Sequence, residues 1–201
     1  MLAIEKDTHQ PEPDDLAPIR RVLDEHREAL EGLASRVDRL AQTAAEDRLS
    51  LVVFSGDLDR QLAAFVMATG AAASGMHVSM FFTFWGTTAL RRRARVKKDL
   101  WGRMFGSLLP RGASQLPLSQ LNLGGIGPAM MRHLMRRKGV CSLEELIATA
   151  AELDVNINVC TMSMDLMGLE RDELIEYPNL GYCGAASFVD IAARSRTTLF
   201  V

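Results

Sequence analysis

Near the start of the chain the apolar positions fall at Leu16, Ile19, Leu23, Leu30, Leu33, Val37 and Leu40, with His26 as the one polar member of the series. The steps alternate between three and four residues for about three and a half heptads, which is the spacing of a helix presenting one narrow seam. The pattern predicts a helical arm over residues 15–47 that forms a short coiled coil or joins subunits, with packing on its own domain as the alternative. Asp14 and Asp15 suit the helix start, Pro18 is tolerated in the first turn, and Gly32 weakens the helix slightly. Residues 1–14, polar and acidic with two prolines, read as a disordered tail.

From residue 48 the period changes. Leu49–Ser55 is a short apolar run ending at Gly56-Asp57, the signature of a buried parallel strand followed by a turn. Asp57 and Asp59 suit the cap of a helix over Arg60–Ser74, and His77–Trp85 reads as a second strand ending in Gly86. Strand, helix and strand in this order make a βαβ unit. Further along, Leu116–Leu118 suits a short third strand and Asn122–Gly127 a flexible loop. Helices are expected over Ala129–Lys138, Leu143–Leu153 (opened by a Ser142/Glu145 capping box), Met162–Leu174 and Gly184–Arg194. Val155–Val159 and Thr197–Val201 complete the strands. Alternating strands and helices predict one α/β domain over residues 48–201, an open three-layer parallel sheet of about five strands.

The run Gln61–Leu90 contains no Asp, Glu, Lys or Arg and is long enough to span a bilayer. Its interior Gly70, Ser74-Gly75 and Gly86 divide it better into a buried helix and a buried strand, so membrane association is not expected. A polar, acidic amino-terminal stretch without an apolar signal points to the cytoplasm. Charge is distributed unevenly. Between Arg91 and Lys138 twelve Lys/Arg face the single acid Asp99, a net of +11 that leaves −13 for the rest of a chain whose formal charge is −2. Such asymmetry suits an anionic ligand or an acidic partner, or else a solvated basic face. Without a helix-turn-helix, RNA-recognition or finger pattern, nucleic acid is not expected.

Three cysteines, Cys141, Cys160 and Cys183, form none of the short zinc-site spacings, and the four histidines are scattered. No metal or cofactor is implied, and the loop NLGGIG lacks the Gly-Lys-Ser/Thr ending of a phosphate loop. In open α/β sheets ligands bind beyond the carboxyl ends of the strands. Gly56–Asp59, Trp85–Thr88 and Cys160–Ser163 fall there, so Gly56, Asp57, Trp85, Gly86, Thr161, Met162, Ser163, Met164 and Asp165 are candidate site-lining residues. Cys160 alone sits where a strand exit runs directly into a helix, where unpaired amides favour a thiolate. A buried structural cysteine is the competing assignment. Cys183, in a glycine-flanked loop, is the candidate resolving thiol. Cys141, beginning a helix, is expected at the opposite edge of the sheet. Met162, Met164 and Met167 suit either a soft lining for a persulfide or ordinary core filling.

The stretches LSLVVFSGDLDRQLAAFVMATGAAASGMHVSMFFTFWG, RRRARVKK, LPLSQLNLGGIGPAMMRHLM, SLEELIATAAEL and CTMSMDLMGLERDEL together resemble the DsrE/DsrF-like sulfur-relay family, in the branch often labelled peroxiredoxin-like. FFTFWG and CTMSMDLMG are the most specific pieces, and the likeness covers residues 49–201. It implies a flavodoxin-like fold, homo-oligomers, and a cysteine, here Cys160, that carries sulfane sulfur as a persulfide or S-thiosulfonate. It also implies TusA-like or rhodanese-like sulfur carrier proteins as partners and small sulfur anions as substrates. If active, the protein would act as a sulfurtransferase-like carrier; the alternative is a non-catalytic oligomeric scaffold or an anion- or nucleotide-binding module.

Overall fold

A computed structural model describes residues 16–43, 45–92, 109–110 and 112–201. The chain divides at Ala44/Ala45 into two units. The first contains helix α1, Ala17–Thr43, on which Ile19, Leu23, Leu30, Leu33, Val37 and Leu40 are all exposed.

The second unit is an α/β domain with strands β1 (Glu46–Val53), β2 (His77–Phe82), β3 (Asn156–Cys160), β4 (Leu180–Cys183) and β5 (Ser195–Phe200). All pair in parallel, in the order β4-β3-β2-β1-β5. Interior strand β1, between β2 and β5, is largely buried, which is why its sequence does not alternate. Its one buried polar residue there, Ser50, meets Ser195 of β5 through their hydroxyls at 2.8 Å.

Successive side chains divide between the two faces. Met80, Phe82, Ile157 and Val159 enter the main core with Phe65 and Ala68 of α2 (Leu58–Ala73) and Leu146 and Ala150 of α4 (Leu143–Glu152). On the opposite face Phe81 and Cys160 cluster with Phe188 of α6 (Ala185–Ala193), and the Phe81 and Phe188 rings stack at 4.7 Å. The run Gln61–Leu90 resolves into α2, β2 and a 3-10 helix over Phe84–Leu90. Among the described residues no helix is long and apolar enough to cross a membrane.

Several expectations change in detail. Leu116–Leu118 is irregular, and the fifth strand is instead β4, so Cys183 ends a strand rather than sitting in a loop. NLGGIG is largely ordered: a 3-10 turn at Leu123–Gly125 leads into α3, Ile126–Lys138. The helix after β3, α5, spans only Thr161–Met167, because Gly168 turns left-handed at φ 59° and ends it. The Ser142/Glu145 capping box opens α4 as expected. Asp57 stands at the α2 N-cap but makes no capping bond; its carboxylate accepts from Ser55 Oγ at 2.7 Å. Asp59 reaches across to accept from the Ser119 N–H at 2.9 Å.

Much of the basic segment, residues 93–108 and Arg111, lies outside the described residues. Within them, Arg91 is buried and pairs with buried Glu173 at 3.2 Å while donating to the Leu109 and Pro110 carbonyls. Arg92 pairs with Glu176 at 2.6 Å, and Arg132 donates to the Leu116 carbonyl at 3.1 Å. These three cations are engaged by the domain itself, which favours the structural account of their share of the charge. Arg136, Arg137 and Lys138 end α3, where positive charge complements the helix dipole.

Candidate functional site at the β3–β4 carboxyl ends

The segment following β3 packs Met164, Met167, Leu169 and Leu174 into the α2/α4 side of the sheet, whereas β4 leads into α6 on the other side. Connections that leave neighbouring strands toward opposite faces open a crevice between their carboxyl ends. The residues at that divergence are Cys160, last in β3, and Cys183, last in β4, which stand opposite each other in register.

Cys160 is the N-cap residue of α5, with extended backbone at φ −69° and ψ 114°. Its sequence position therefore matches the expectation, but its exposure does not: only 1% of the residue is open to solvent. Burial pushes the Cys160 thiol up, yet donors around the sulfur more than offset this and hold its pKa below the ordinary thiol value. They are the Ser163 hydroxyl and N–H, the Thr83 hydroxyl and the Met162 N–H. The neutral thiol makes no formed capping bond to the α5 amides, so these donors act on the charge that develops when the proton leaves. Thr83 Oγ1 and Ser163 Oγ are 2.8 Å apart and both buried. Continuing the Phe82↔Val159 register by one residue places Thr83 beside Cys160 at the end of β2. The place of Ser163 two residues into α5 predicts it at this site. Thr83 escapes such a prediction, because only strand register brings it there.

The remaining candidates separate into two groups. Gly56, Asp57 and Trp85 line a cleft of about 220 Å³ together with Ser55, Thr88, Pro110 and Pro117, and Cys160 is not part of its wall. Gly86 lies behind it: a Cβ there would stand 2.2 Å from the Val53 carbonyl oxygen, so glycine lets the β2 exit cross the β1 exit. Buried Gln61, absent from the sequence-derived set, ties these loops by donating to the Ser55 carbonyl at 2.6 Å. Around Cys160, Thr161 is half-buried, Met162 is 51% exposed and Asp165 is exposed. Met164 and Met167 belong to the main core, which is the core-filling role.

Cys183 is half-buried against the Phe81/Cys160/Phe188 cluster, and burial together with the charge of Cys160 raises its pKa. Cys141 is exposed, one residue before the α4 cap. It is not at the opposite end of the sheet. Val140 and Ser142 share a cleft with Leu58, the first residue of α2, because both helices start beyond the strands' carboxyl ends. It nevertheless lies on the α2/α3/α4 side, the opposite face of the sheet from the Phe81/Cys160/Phe188 cluster. Among the described residues no group of His, Cys, Asp and Glu could hold a metal.

A five-stranded all-parallel sheet packed with helices defines a flavodoxin-like α/β protein, here with Cys160 at a strand-to-helix junction. The chain belongs to the DsrE/DsrF/DrsH-like family, whose model matches residues 45–200. It is 40% identical over 161 residues to the uncharacterized protein YrkE of Bacillus subtilis, a match covering 79% of this chain and 99% of that protein. It is also 32% identical over 160 residues to the sulfur carrier protein DsrE2 of Allochromatium vinosum, covering 78% of this chain and 99% of the carrier. The helix α1 lies outside the family match.

Proposed function

We propose that this protein is a sulfane-sulfur carrier that works through Cys160. The observation that carries this function is the convergence of the Ser163 and Thr83 hydroxyls on a cysteine at a strand-to-helix junction. Kinship with a protein named as a sulfur carrier supports it. The Cys160 thiolate attacks the outer sulfur of a donor persulfide, the donor S–S bond breaks, and the donor leaves as a thiolate. Cys160 then holds a persulfide, which an acceptor thiolate removes by the same exchange in reverse. With a polythionate as donor the product on Cys160 is an S-thiosulfonate and the leaving group is thiosulfate. TusA-like or rhodanese-like carrier proteins are the expected exchange partners.

The near-complete burial of Cys160 favours a second function, a scaffold in which this cysteine only packs. One experiment separates the two. Protein treated with tetrathionate or polysulfide is weighed intact and mapped by peptide. The carrier function requires the added sulfur on Cys160; modification confined to Cys141 or Cys183 overturns it. A Cys160→Ser variant that retains sulfur-dependent function in cells also overturns it.

A further inference from the structure

We propose that Cys160 and Cys183 act as a pair, in which Cys183 resolves the sulfur adduct on Cys160 by closing a disulfide between β3 and β4. This deepens the carrier function and rests on Cys160 taking up sulfur.

The pairing follows from strand geometry. Cys160 and Cys183 are register partners in a parallel pair, so their side chains leave the sheet on the same face. Strands in a sheet lie roughly 4.7–4.9 Å apart, inside the ~4.4–6.8 Å range of Cα separations that disulfides span. Both residues end their strands, and β4 is an edge strand of four residues, so among the described residues no further strand holds its outer side against the small shift that bonding needs. Both belong to the same apolar cluster beneath Phe188. Exposure differs within the pair: Cys160 is closed to solvent, whereas Cys183 is half-buried. Across the carboxyl edge of the sheet the order is therefore Thr83 hydroxyl, Cys160 sulfur, Cys183 sulfur. Cys183, on the neighbouring strand and the same face, is the thiol placed to meet an adduct on Cys160.

The chemistry closes without a further oxidant. An adduct Cys160–S–S–X, with X either hydrogen or sulfonate, already contains sulfur at the oxidation level of a disulfide. The Cys183 thiolate, its proton released to water, attacks Cys160 Sγ. The bond from Sγ to the outer sulfur breaks, and that sulfur leaves with the electron pair as hydrosulfide or thiosulfate. The two cysteine sulfurs are oxidised to a disulfide and the sulfane sulfur is reduced. A thiol reductant restores the dithiol. The pair thereby limits how long unclaimed sulfur stays on Cys160, and an acceptor must capture it before Cys183 does.

The test uses the full chain in a Cys141→Ser background, with tetrathionate as the probe. Samples are acid-quenched over time, weighed intact and mapped. The expected course is a transient Cys160 adduct, then a Cys160–Cys183 disulfide with thiosulfate released at each step. In Cys183→Ser the adduct should last at least about tenfold longer, since the intramolecular attack is gone. An adduct that decays equally with and without Cys183, with no disulfide, overturns the pair and leaves the carrier function standing. A Cys160 that never accepts sulfur overturns the carrier function instead. In that event the resolving role falls with it; where sulfur is accepted, oxidation with diamide, which needs no substitution at position 183, checks the geometry separately, and the absence of a mapped Cys160–Cys183 cross-link overturns the pair.

Discussion

Removing the Ser163 hydroxyl should make two pH–rate profiles cross. Ser163 is fully buried, 2.8 Å from Thr83 Oγ1, and with Thr83 it supplies the hydroxyl donors that favour the Cys160 thiolate. A hydrogen bond to a charged group is worth ~1.5–3 kcal/mol. At about 1.4 kcal/mol per factor of ten, its loss lowers the thiolate population roughly 10- to 100-fold on the acid limb. A thiolate that is harder to form is also a better nucleophile, and a Brønsted coefficient near ~0.5 returns about the square root of that loss. Ser163→Ala should therefore react with iodoacetamide about 3- to 10-fold more slowly on the acid limb. Above both pKa values it should react faster by a similar factor, because only nucleophilicity then differs. The assay is Cys160 alkylation against pH in a Cys141→Ser, Cys183→Ser background, with Thr83→Val as the companion variant. Profiles that superimpose would show that the hydroxyls do not act on the sulfur. A uniform slowing at every pH would show that Ser163 controls only access. Stability carries the same sign. Because folding lowers the Cys160 pKa, the folded chain binds fewer protons than the unfolded chain between the two values. The contribution is full above the ordinary thiol value of about 8.5 and is lost as pH falls through the folded-state value. Ser163→Ala should narrow that window, as read by urea unfolding at a series of pH values.

Glu173→Gln or Arg91→Met should each cost about 3–5 kcal/mol in urea unfolding, since either removes one partner of a buried ion pair. Replacing both together should cost much less than the sum. Gly86→Ala should prevent stable folding, as read by circular dichroism, because the new Cβ would sit against the Val53 carbonyl. Gly70→Ala, inside α2 with nothing within 4 Å of the added carbon, should stabilise by about 0.5–1 kcal/mol. Phe188→Ala removes the ring stacked on Phe81 and should cost about 3–5 kcal/mol while speeding Cys160 alkylation in buffer; an unchanged rate would mean that α6 does not cover the sulfur. Leu23→Glu with Leu30→Glu should lower the mass found by analytical ultracentrifugation if the exposed α1 seam pairs with a second copy; an unchanged mass refutes that pairing.

The elements visible in the sequence are those with strong periodicity or a clear stop. The apolar runs at residues 49–53 and 77–82 and the Ser142/Glu145 box are local signals, and the structure keeps them. Strand β4 is hidden because Leu180–Cys183 has only four residues, includes Gly181 and lies at the sheet edge, so little apolar patterning is required of it. The extent of α5 is overread because an apolar period continues past Gly168, while the left-handed turn at that glycine is decided by a single residue. At the site, Cys160 and Ser163 are legible from motif and position. Cys183 is named from its glycine-flanked position, but its register with Cys160, like the place of Thr83, depends on pairing between strands far apart in sequence.

For the proposed carrier, a thiol as closed as Cys160 is a chemical advantage. Persulfides are lost to any thiol that reaches them, and to water-borne reductants, so a sulfur held on an open surface would be discharged at random. Closing Cys160 under Phe188 excludes casual thiols, while the Thr83 and Ser163 hydroxyls replace the solvation that a thiolate forfeits on leaving water. The cost is that transfer must be coupled to movement of the cover. That cover is helix α6: Ala185, Ala186, Ser187 and Val189 are exposed, Phe188, Ile191 and Ala192 pack on the sheet, and the Ser195 and Thr198 hydroxyls of β5 donate to the Ile191 and Ala192 carbonyls. In the proposed carrier, a docking partner that displaced this short helix would uncover Cys160 and Cys183 together and so join recognition to sulfur release.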